Sequence, residues 1–342
     1  MSDATSDTPL LRVAGLSQRF AVSRDIFGRP SQWLEAVDRV DLELAAGETL
    51  GIVGESGCGK STLARTILHL HRPSAGKVIF DGVDLGSAGP ARLRQMRRRM
   101  QIVMQDPYSA LNPRRTIGSS IADGVTGGDR RAKVRALLEK VGLSAGDAGR
   151  YPNEFSGGQR QRICIARALG PDPDLLIADE AVSALDVSVQ AQILNLLAGL
   201  RRDFGLSFLF ISHNLAVVRA FCDRVAVMYL GRIVETGPTE AVFQDPRHPY
   251  TRALISAVPI PQPGRRRERR RLLAGDVPSP LDPPSGCRFR TRCPHADEGC
   301  ARTAPVLERL GDARQVACLR LGTLERGPVW AAPVSQAEAR PC

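Results

Sequence analysis

Apolar residues gather in continuous runs at three places along the chain, and polar residues follow each run. The runs lie within Glu48–Val53, Asp174–Ala178 and Leu206–Ile211. Such short apolar runs are typical of strands buried on both faces of a parallel sheet. In sheets of this kind, ligand sites lie at the carboxyl ends of the strands. The pattern therefore predicts a parallel sheet with a functional edge.

Between these runs, the apolar positions recur at helical spacing. Thr62–Leu70 and Ser188–Phe204 each predict a helix, and a basic helix over Ala91–Arg99 leads into a strand over Met100–Met104. The region from Asp106 to Gly170 is helical in pattern and interrupted by Gly and Pro. Strands that alternate with helices indicate an α/β architecture.

The two ends of the chain differ from this centre. Short strand-like runs, Leu10–Val13 and Val40–Leu44, flank a polar insert over Ser23–Gln32 and predict a β subdomain ahead of the sheet. Beyond about Gly237, prolines and glycines multiply. We therefore expect a second, smaller domain there.

Composition and charge narrow the class of protein. No apolar stretch approaches the roughly 20 residues of a membrane span, and the first residues lack a secretory pattern, so we expect a cytoplasmic location. Of the net charge of +11, the run Arg265–Arg271 supplies +5, from six Arg and one Glu. A solvated linker is the first interpretation of this run, and contact with anionic lipid or a permease is the second. Nucleic-acid binding comes last, because no aromatic residues interleave with the arginines.

A glycine-rich segment joins the strand ending at Val53 to the next helix. It reads Gly54-Glu55-Ser56-Gly57-Cys58-Gly59-Lys60-Ser61, followed by Thr62, and fits the phosphate-binding pattern GxxxxGK[ST]. Glycines allow a tight turn whose N–H groups, with the positive helix N-terminus, hold nucleotide phosphates. We expect Gly54 to Thr62 to bind ATP, with Lys60 reaching the β- and γ-phosphates and Ser61 ligating Mg²⁺.

A phosphate loop alone fits kinases, GTPases, helicases and transport ATPases, and the rest of the chain discriminates among them. Ser156-Gly157-Gly158-Gln159 precedes a helical run and looks like the signature sequence of ABC ATPases. Further matches to that family are Phe20, Gln105, Asp179-Glu180, Ser183–Asp186 and His213. The chain thus resembles one ABC nucleotide-binding domain. This implies an ABC-type P-loop NTPase, with a RecA-like parallel sheet core, an antiparallel β subdomain and a helical signature subdomain.

The resemblance implies a role for each matching residue. Asp179 would hold Mg²⁺ through water, and Gln105 would sense the ion and link the site to a partner. Glu180 would polarise the attacking water as general base. His213 would contact the γ-phosphate, and Phe20 would stack on adenine. A lone His or Phe is more often structural, so these roles depend on the whole ordered set.

The same resemblance implies a head-to-tail dimer. Ser156, Gly157, Gly158 and Gln159 would act on the ATP held by the partner chain, and Asp186 would belong to the D-loop. ATP binding would close the dimer and hydrolysis would open it. A bound transmembrane partner would convert this motion into alternating access.

Two stretches resemble a narrower group, the ATP-binding subunits of oligopeptide and dipeptide importers. They are Gln105–Arg114 and the region from His248 to Cys318. The implied protein is an ATPase on the cytoplasmic face of the cell membrane. Its implied partners are a similar ATPase chain, in a homo- or heterodimer, two permeases and, indirectly, an extracytoplasmic substrate-binding protein, with no nucleic acid.

The sequence does not identify the transported substrate. Similar chains also serve importers of nickel, glutathione and opine-like solutes. A soluble ABC ATPase of translation or DNA repair is a rival, but the chain has neither tandem domains nor a long heptad insert. A module that closes on ATP without turnover is a second rival, which the intact Glu180 and His213 oppose.

These patterns predict three divisions of the chain. The ABC ATPase domain is expected over residues 10–240, with its helical subdomain at about 106–170. An oligopeptide-transporter-type C-terminal domain is expected over 241–322, with a tail over 323–342.

Four cysteines cluster in the expected C-terminal domain. Cys287, Cys293, Cys300 and Cys318 have the spacing C-x5-C-x6-C-x17-C. Clustered thiols in a reducing compartment suit zinc or an iron–sulfur centre. Because the resembling proteins are associated with a 4Fe-4S cluster in this extension, that cluster ranks first, with Zn²⁺ and free thiols as the alternatives.

Overall fold

The structure, a computed structural model, describes residues 8–24, 27, 30–183, 185–257, 275–311 and 313–324. The Arg265–Arg271 run and residues 325–342 of the expected tail lie outside this part. The chain divides into two compact units, Met1–Ile233 and Val234–Cys342. The domain boundaries expected from the sequence stay a prediction.

Within the described N-terminal unit, two sheets form. Its strands are β1 Leu11–Arg24, β2 Pro30–Leu44, β3 Thr49–Val53, β4 Ala75–Phe80, β5 Val83–Asp84, β6 Met100–Val103, β7 Leu175–Asp179, β8 Ser207–Ile211 and β9 Arg224–Tyr229. Five of these strands are parallel, in the order β9-β3-β8-β7-β6. Every residue of β3, β7 and β8 is buried. The α/β fold with a parallel core is confirmed.

The second sheet is antiparallel, in the order β2-β1-β4-β5. Strand β1 ends at Arg24 and strand β2 begins at Pro30. Both strands therefore enter Ser23–Gln32, the stretch that the sequence predicts as a polar insert. Strand β1 pairs with β4 as far as Ser17 and continues beyond that residue as a ribbon with β2. Residues such as Val22 and Trp33 on this ribbon are exposed. Because the ribbon covers no core, its sequence lacks the apolar alternation that reveals a strand.

Helices cover and connect these sheets. Those of the N-terminal unit are α1 Lys60–Ile67, α2 Pro90–Arg99, α3 Pro107–Ala110, α4 Ile117–Ala122, α5 Arg130–Lys140, α6 Gly157–Leu169, α7 Val187–Phe204 and α8 Leu215–Phe221. Helices α3 to α6 occupy the region expected to be helical. Asp106, Thr116, Asp129 and Asn214 each begin a helix by accepting hydrogen bonds from backbone amides.

The C-terminal unit is smaller and contains short elements. They are α9 Thr239–Gln244, α10 Pro249–Ser256, α11 Glu298–Arg302, β11 Glu308–Leu310 and β12 Arg314–Val316, together with β10 Arg232–Pro238, which begins two residues before the unit boundary. Strand β12 pairs antiparallel with both β10 and β11. Buried Tyr250 packs on Phe289, with ring centroids 5.5 Å apart. Across the described ranges of both units, we find no helix with the length and apolar character to cross a membrane.

Candidate functional site

The glycine-rich segment forms the turn between β3 and α1. Gly54 and Gly59 have φ values of +155° and +106°. A Cβ at Gly54 would lie 2.1 Å from the carbonyl oxygen of Met228, and one at Gly59 would lie 2.1 Å from that of Ala36. Only glycine fits both the backbone conformation and the space. The turn therefore keeps the tight shape that a phosphate loop requires.

Lys60 begins α1 and turns its ammonium back over the loop. Its Nζ donates hydrogen bonds to the carbonyl oxygens of Gly54 and Glu55, both at 2.9 Å, and lies 3.7 Å from Cys58 Sγ. Lys60 is only 5% exposed. Burial raises the pKa of the Cys58 thiol, and the Lys60 charge opposes that rise. The loop thus encloses one buried positive charge, suited to an anionic ligand.

Ser61 and Asp179 meet beside this loop. The Ser61 hydroxyl donates to Asp179 Oδ1 at 2.8 Å, joining α1 to the last residue of β7. Burial raises the pKa of the Asp179 carboxyl, against the Ser61 hydrogen bond and the charges of Arg65 and Lys60. A buried carboxylate beside a hydroxyl is a hard oxygen pair suited to Mg²⁺. These donors fit the predicted ion.

Two predicted residues converge on one carboxylate oxygen of a third, Glu180. Glu180 Oε2 accepts a hydrogen bond from Gln105 Nε2 at 3.1 Å and lies 3.3 Å from His213 Nδ1. Glu180 has φ +51°, and its backbone N–H donates to the Ile211 carbonyl at 3.0 Å. Its own carbonyl accepts from Ser183 Oγ at 2.9 Å. These bonds fix an unusual backbone conformation and hold the side chain at the sheet edge.

The signature residues form a closed turn at the start of α6. Ser156 Oγ accepts from the Gln159 amide at 3.3 Å, while Gln159 Oε1 accepts from the Ser156 amide at 2.9 Å. Gly158 packs so closely that an added Cβ would lie 2.6 Å from Val189 Cγ1. This capping box leaves a helix N-terminus at a defined position, the kind of site that binds anions.

The remaining predicted residues are placed as follows. Asp186 precedes α7, and its carbonyl accepts from the Gln190 amide at 2.8 Å. Phe20 lies on β1, half-buried, with its ring edge-on to His71 at 5.3 Å between centroids. Thr62 lies in the first turn of α1, and its carbonyl accepts from Thr66 Oγ1 at 2.7 Å. The stacking of Phe20 on adenine stays a prediction.

Two side chains outside the predicted set also bear on these residues. Arg65, whose charge opposes the rise in the pKa of Asp179, lies four residues after Ser61 on the same helix face. That spacing was a usable signal. His71, the ring partner of Phe20, follows α1 in a loop, where no periodic pattern points to it.

The four clustered cysteines belong to the C-terminal unit. Burial raises the pKa of Cys318 to about 11, and the charges of Cys287, Cys293 and Cys300 add to that rise. Backbone pairing joins the Cys287 amide to the Cys300 carbonyl at 2.8 Å. The other three cysteines therefore lie close enough to Cys318 for their charges to affect its pKa. Still, among the residues that the structure describes, no group of three or more His, Cys, Asp or Glu side chains is arranged to hold a metal ion.

Comparison with protein families gives two matches. Residues 37–183 match the model described as ABC transporter, and residues 234–300 match the oligopeptide/dipeptide transporter, C-terminal region. The chain is 51% identical to the oligopeptide transport ATP-binding protein OppF of Salmonella typhimurium, over 92% of this chain and 97% of that protein. It is 46% identical to the dipeptide transport ATP-binding protein DppF of Haemophilus influenzae, over 94% and 99%.

Solved structures show a similar fold. The dimeric post-hydrolysis state of the ATP-binding cassette MJ0796, bound to ADP and Pi, superposes with a TM-score of 0.59. It is 26% identical to this chain, covering 67% of this chain and 98% of that one.

Proposed function

The chain belongs to the ABC transporter family, in the group that carries the oligopeptide/dipeptide transporter C-terminal region, and we propose that it is the ATP-hydrolysing subunit of a peptide importer. Members of this family hydrolyse ATP with Mg²⁺. The importer role is supported by the two relatives, whose names describe oligopeptide and dipeptide transport and which match nearly the whole chain.

One observation carries the ATPase part of the proposal. A buried Lys60, the Ser61–Asp179 pair and the Glu180 carboxylate lie along one edge of the parallel sheet, at the end of β3 and β7. Phosphoryl transfer requires charge neutralisation, a metal site and an oriented water, and these residue types supply all three.

We assign the residues accordingly. Lys60 binds the β- and γ-phosphates, and Ser61 with Asp179 and Gln105 holds Mg²⁺. Glu180 takes the proton of the attacking water as general base, and His213 contacts the γ-phosphate and steadies that water. The backbone amides of Gly54–Gly59 cradle the phosphates, while Phe20 stacks on adenine.

The proposed assembly has two ATPase chains and two permeases on the cytoplasmic face of the membrane. The signature turn, Ser156–Gln159, acts on the ATP of the partner chain, with Asp186 at the dimer contact. The partner ATPase is a second copy or a similar chain, and an extracytoplasmic binding protein delivers the cargo. No nucleic acid takes part. We retain residues 10–240 as the ATPase domain and 241–322 as the C-terminal domain.

Di- and oligopeptides are the proposed cargo, with nickel, glutathione and opine-like solutes as the alternatives. The test is a pull-down of the tagged chain from detergent-solubilised membranes of its own host, with mass spectrometry. Two permeases and a second ATPase are the expected companions, and their binding protein would identify the cargo class. Recovery of ribosomal or DNA-repair proteins instead would contradict the importer and favour a soluble ABC ATPase.

For the four cysteines we propose a 4Fe-4S cluster, with Zn²⁺ as the alternative. The support is proximity, because burial raises the pKa of Cys293 and Cys318 and the charges of neighbouring cysteines of the group add to each rise. The sulfurs would have to draw together to ligate it, given that no described group holds a metal as it stands. When bound, the cluster would cross-link the unit. Iron and sulfide assay after anaerobic purification tests this, and zinc at about one equivalent would contradict the cluster.

A further inference from the structure

A short segment leads from strand β6 to the helical subdomain. We call residues Gln105–Leu111, which include α3, the 105–111 segment. Asp106 shapes it, since its carboxylate accepts from the amides of Tyr108 at 2.8 Å and Ser109 at 3.2 Å. Those hydrogen bonds lower the pKa of Asp106. The turn leaves Tyr108 66% exposed at the surface.

The inner face of Tyr108 is covered by Arg160, from the first turn of α6. The guanidinium carbon lies 4.0 Å from the centroid of the Tyr108 ring. Arg160 is only 9% exposed, and its Nε donates to the Pro152 carbonyl at 2.6 Å. Its Nη1 is buried and makes no hydrogen bond within the described residues. Its Nη2 donates to the Asn153 carbonyl at 3.4 Å, and the Tyr108 ring adds a cation–π attraction to these hydrogen bonds.

A second arginine of the same helix holds the far end of the segment. Arg167 Nη1 donates to the Ala110 carbonyl. Arg160 and Arg167 are seven residues apart and therefore lie on one face of α6. The segment is thus fastened to α6 at two points, by a ring contact and by a hydrogen bond.

The near end of the segment reaches the catalytic edge. Gln105 Nε2 donates to Glu180 Oε2 at 3.1 Å. Arg160 directly follows Gln159, the last residue of the signature turn. One short segment therefore contacts both the Glu180 carboxylate and the helix that begins with the signature.

We propose that Arg160 is a positioning residue that couples the signature turn to the 105–111 segment through its contact with Tyr108. This rests on the proposed function, in which the signature acts on the ATP of a partner chain. When the signature turn closes on that ATP, α6 moves, and Arg160 carries the segment with it. The exposed face of Tyr108 then reports the nucleotide state at the surface.

The first test measures hydrogen exchange in the full chain, with and without a non-hydrolysable ATP analogue and Mg²⁺. The analogue is expected to slow exchange of the amides of residues 106 and 108–111 by about threefold or more. Tyr108→Phe, which keeps an aromatic face, should retain this slowing. Tyr108→Leu and Arg160→Met should each lose it. Tyr151→Leu is the matched control, because Tyr151 is a second exposed tyrosine close to the signature.

Two results would overturn the coupling. One is slowing that persists in Tyr108→Leu and Arg160→Met, and the other is a wild-type chain in which the analogue leaves the segment unchanged. Both leucine variants replace exposed side chains, so they test the contact without emptying a core. No permease or peptide is present, and the result is therefore independent of the importer assignment.

The second test uses the complete transporter in liposomes. Tyr108→Leu is expected to lower the peptide-stimulated kcat for ATP about fivefold, with KM for ATP unchanged and with rescue by Tyr108→Phe. The Arg160→Met and Tyr108→Leu pair should be non-additive, the double variant matching either single one. Fully multiplicative losses would overturn the coupling. A wild-type complex without peptide stimulation would instead contradict the importer and leave the exchange result to decide the coupling.

Discussion

His213 Nδ1 lies 3.3 Å from Glu180 Oε2, so a residue just beyond β8 is held against the residue that follows β7. The same oxygen accepts the hydrogen bond from Gln105, which follows β6. Two side chains, from beyond the strands on either side of β7, therefore meet a single carboxylate oxygen of Glu180. Replacing that oxygen tests the chemistry of the edge with little change in shape.

Glu180→Gln is expected to lower ATP turnover by at least about 100-fold, because an amide cannot accept the proton of the attacking water. The variant should still bind ATP, since Lys60 and Asp179 are untouched. Closed dimers should accumulate in ATP and Mg²⁺. Phosphate release and size-exclusion chromatography measure the two effects.

Glu139→Gln is the control, because it removes the same charge from an exposed position on α5 that is distant from Glu180 in the sequence. It should hydrolyse ATP like the wild type. Turnover in Glu180→Gln equal to that of Glu139→Gln would show that another residue is the base.

Lys60→Ala is expected to weaken ATP binding by about 10- to 100-fold, as loss of a charge-assisted hydrogen bond to phosphate does. Lys60 is 5% exposed and its ammonium lies against the loop carbonyls. Lys77→Ala removes the same charge from an exposed position on β4 and should bind normally. Titration with a fluorescent ATP analogue compares them. Equal affinity in both variants would remove Lys60 from the nucleotide site.

Gly158→Ala is expected to destabilise the chain by about 1–3 kcal/mol, the cost of forcing a methyl group into a packed contact. The added Cβ would lie 2.6 Å from Val189 Cγ1. Gly157→Ala is the matched control, because its Cβ would meet only Leu185, at 3.8 Å. Urea unfolding measures both variants. If the two were equally stable, the packing of α6 against α7 would not explain the glycine.

The parallel core could be predicted from the sequence because a strand buried on both faces requires apolar residues at successive positions. Strands β3, β7 and β8 exclude water on each side, so their residues are apolar without interruption. The ribbon of β1 and β2 beyond Ser17 has no comparable apolar pattern in its sequence. Its backbone hydrogen bonds fix the strands, and hydrogen bonding alone puts no constraint on side-chain polarity.

The residues proposed for the nucleotide site lie at one sheet edge for a related reason. Asp179 ends a buried strand, while Lys60 and His213 follow buried strands after short turns, and local sequence therefore locates them. The contact between Arg160 and Tyr108 was not predictable. It joins positions 52 residues apart, and neither side chain belongs to a periodic pattern.

The last prediction concerns acid stability and His248, which is 1% exposed at the start of α10. Its Nδ1 accepts from the Tyr250 amide at 3.1 Å, and its ring packs near Phe289. Burial lowers the pKa of His248 from 6.5 to about 3. Between these values the unfolded chain binds a proton that the folded chain does not, so stability falls as pH falls through this window.

Glu235, which accepts from the His248 and Arg247 amides, acts with the opposite sign. Burial raises its pKa, against these hydrogen bonds and the charge of Arg314. Its contribution is therefore fully present below its unfolded pKa and fades as pH rises through its folded pKa. A variant that removes only His248 separates its contribution to the pH dependence of stability from that of Glu235.

His248→Asn keeps a side-chain acceptor at the helix start and cannot be protonated. Between about pH 6 and about pH 4.5, the wild type should lose about 2 kcal/mol more stability than this variant. His295→Asn, which replaces an exposed histidine of the same unit, should keep the wild-type acid slope. Urea titrations followed by circular dichroism, fitted with a separate transition for the C-terminal unit, measure the slopes. Parallel pH dependence in wild type and His248→Asn would mean that His248 has the same pKa in the folded and unfolded chain, which would contradict the effect of its burial.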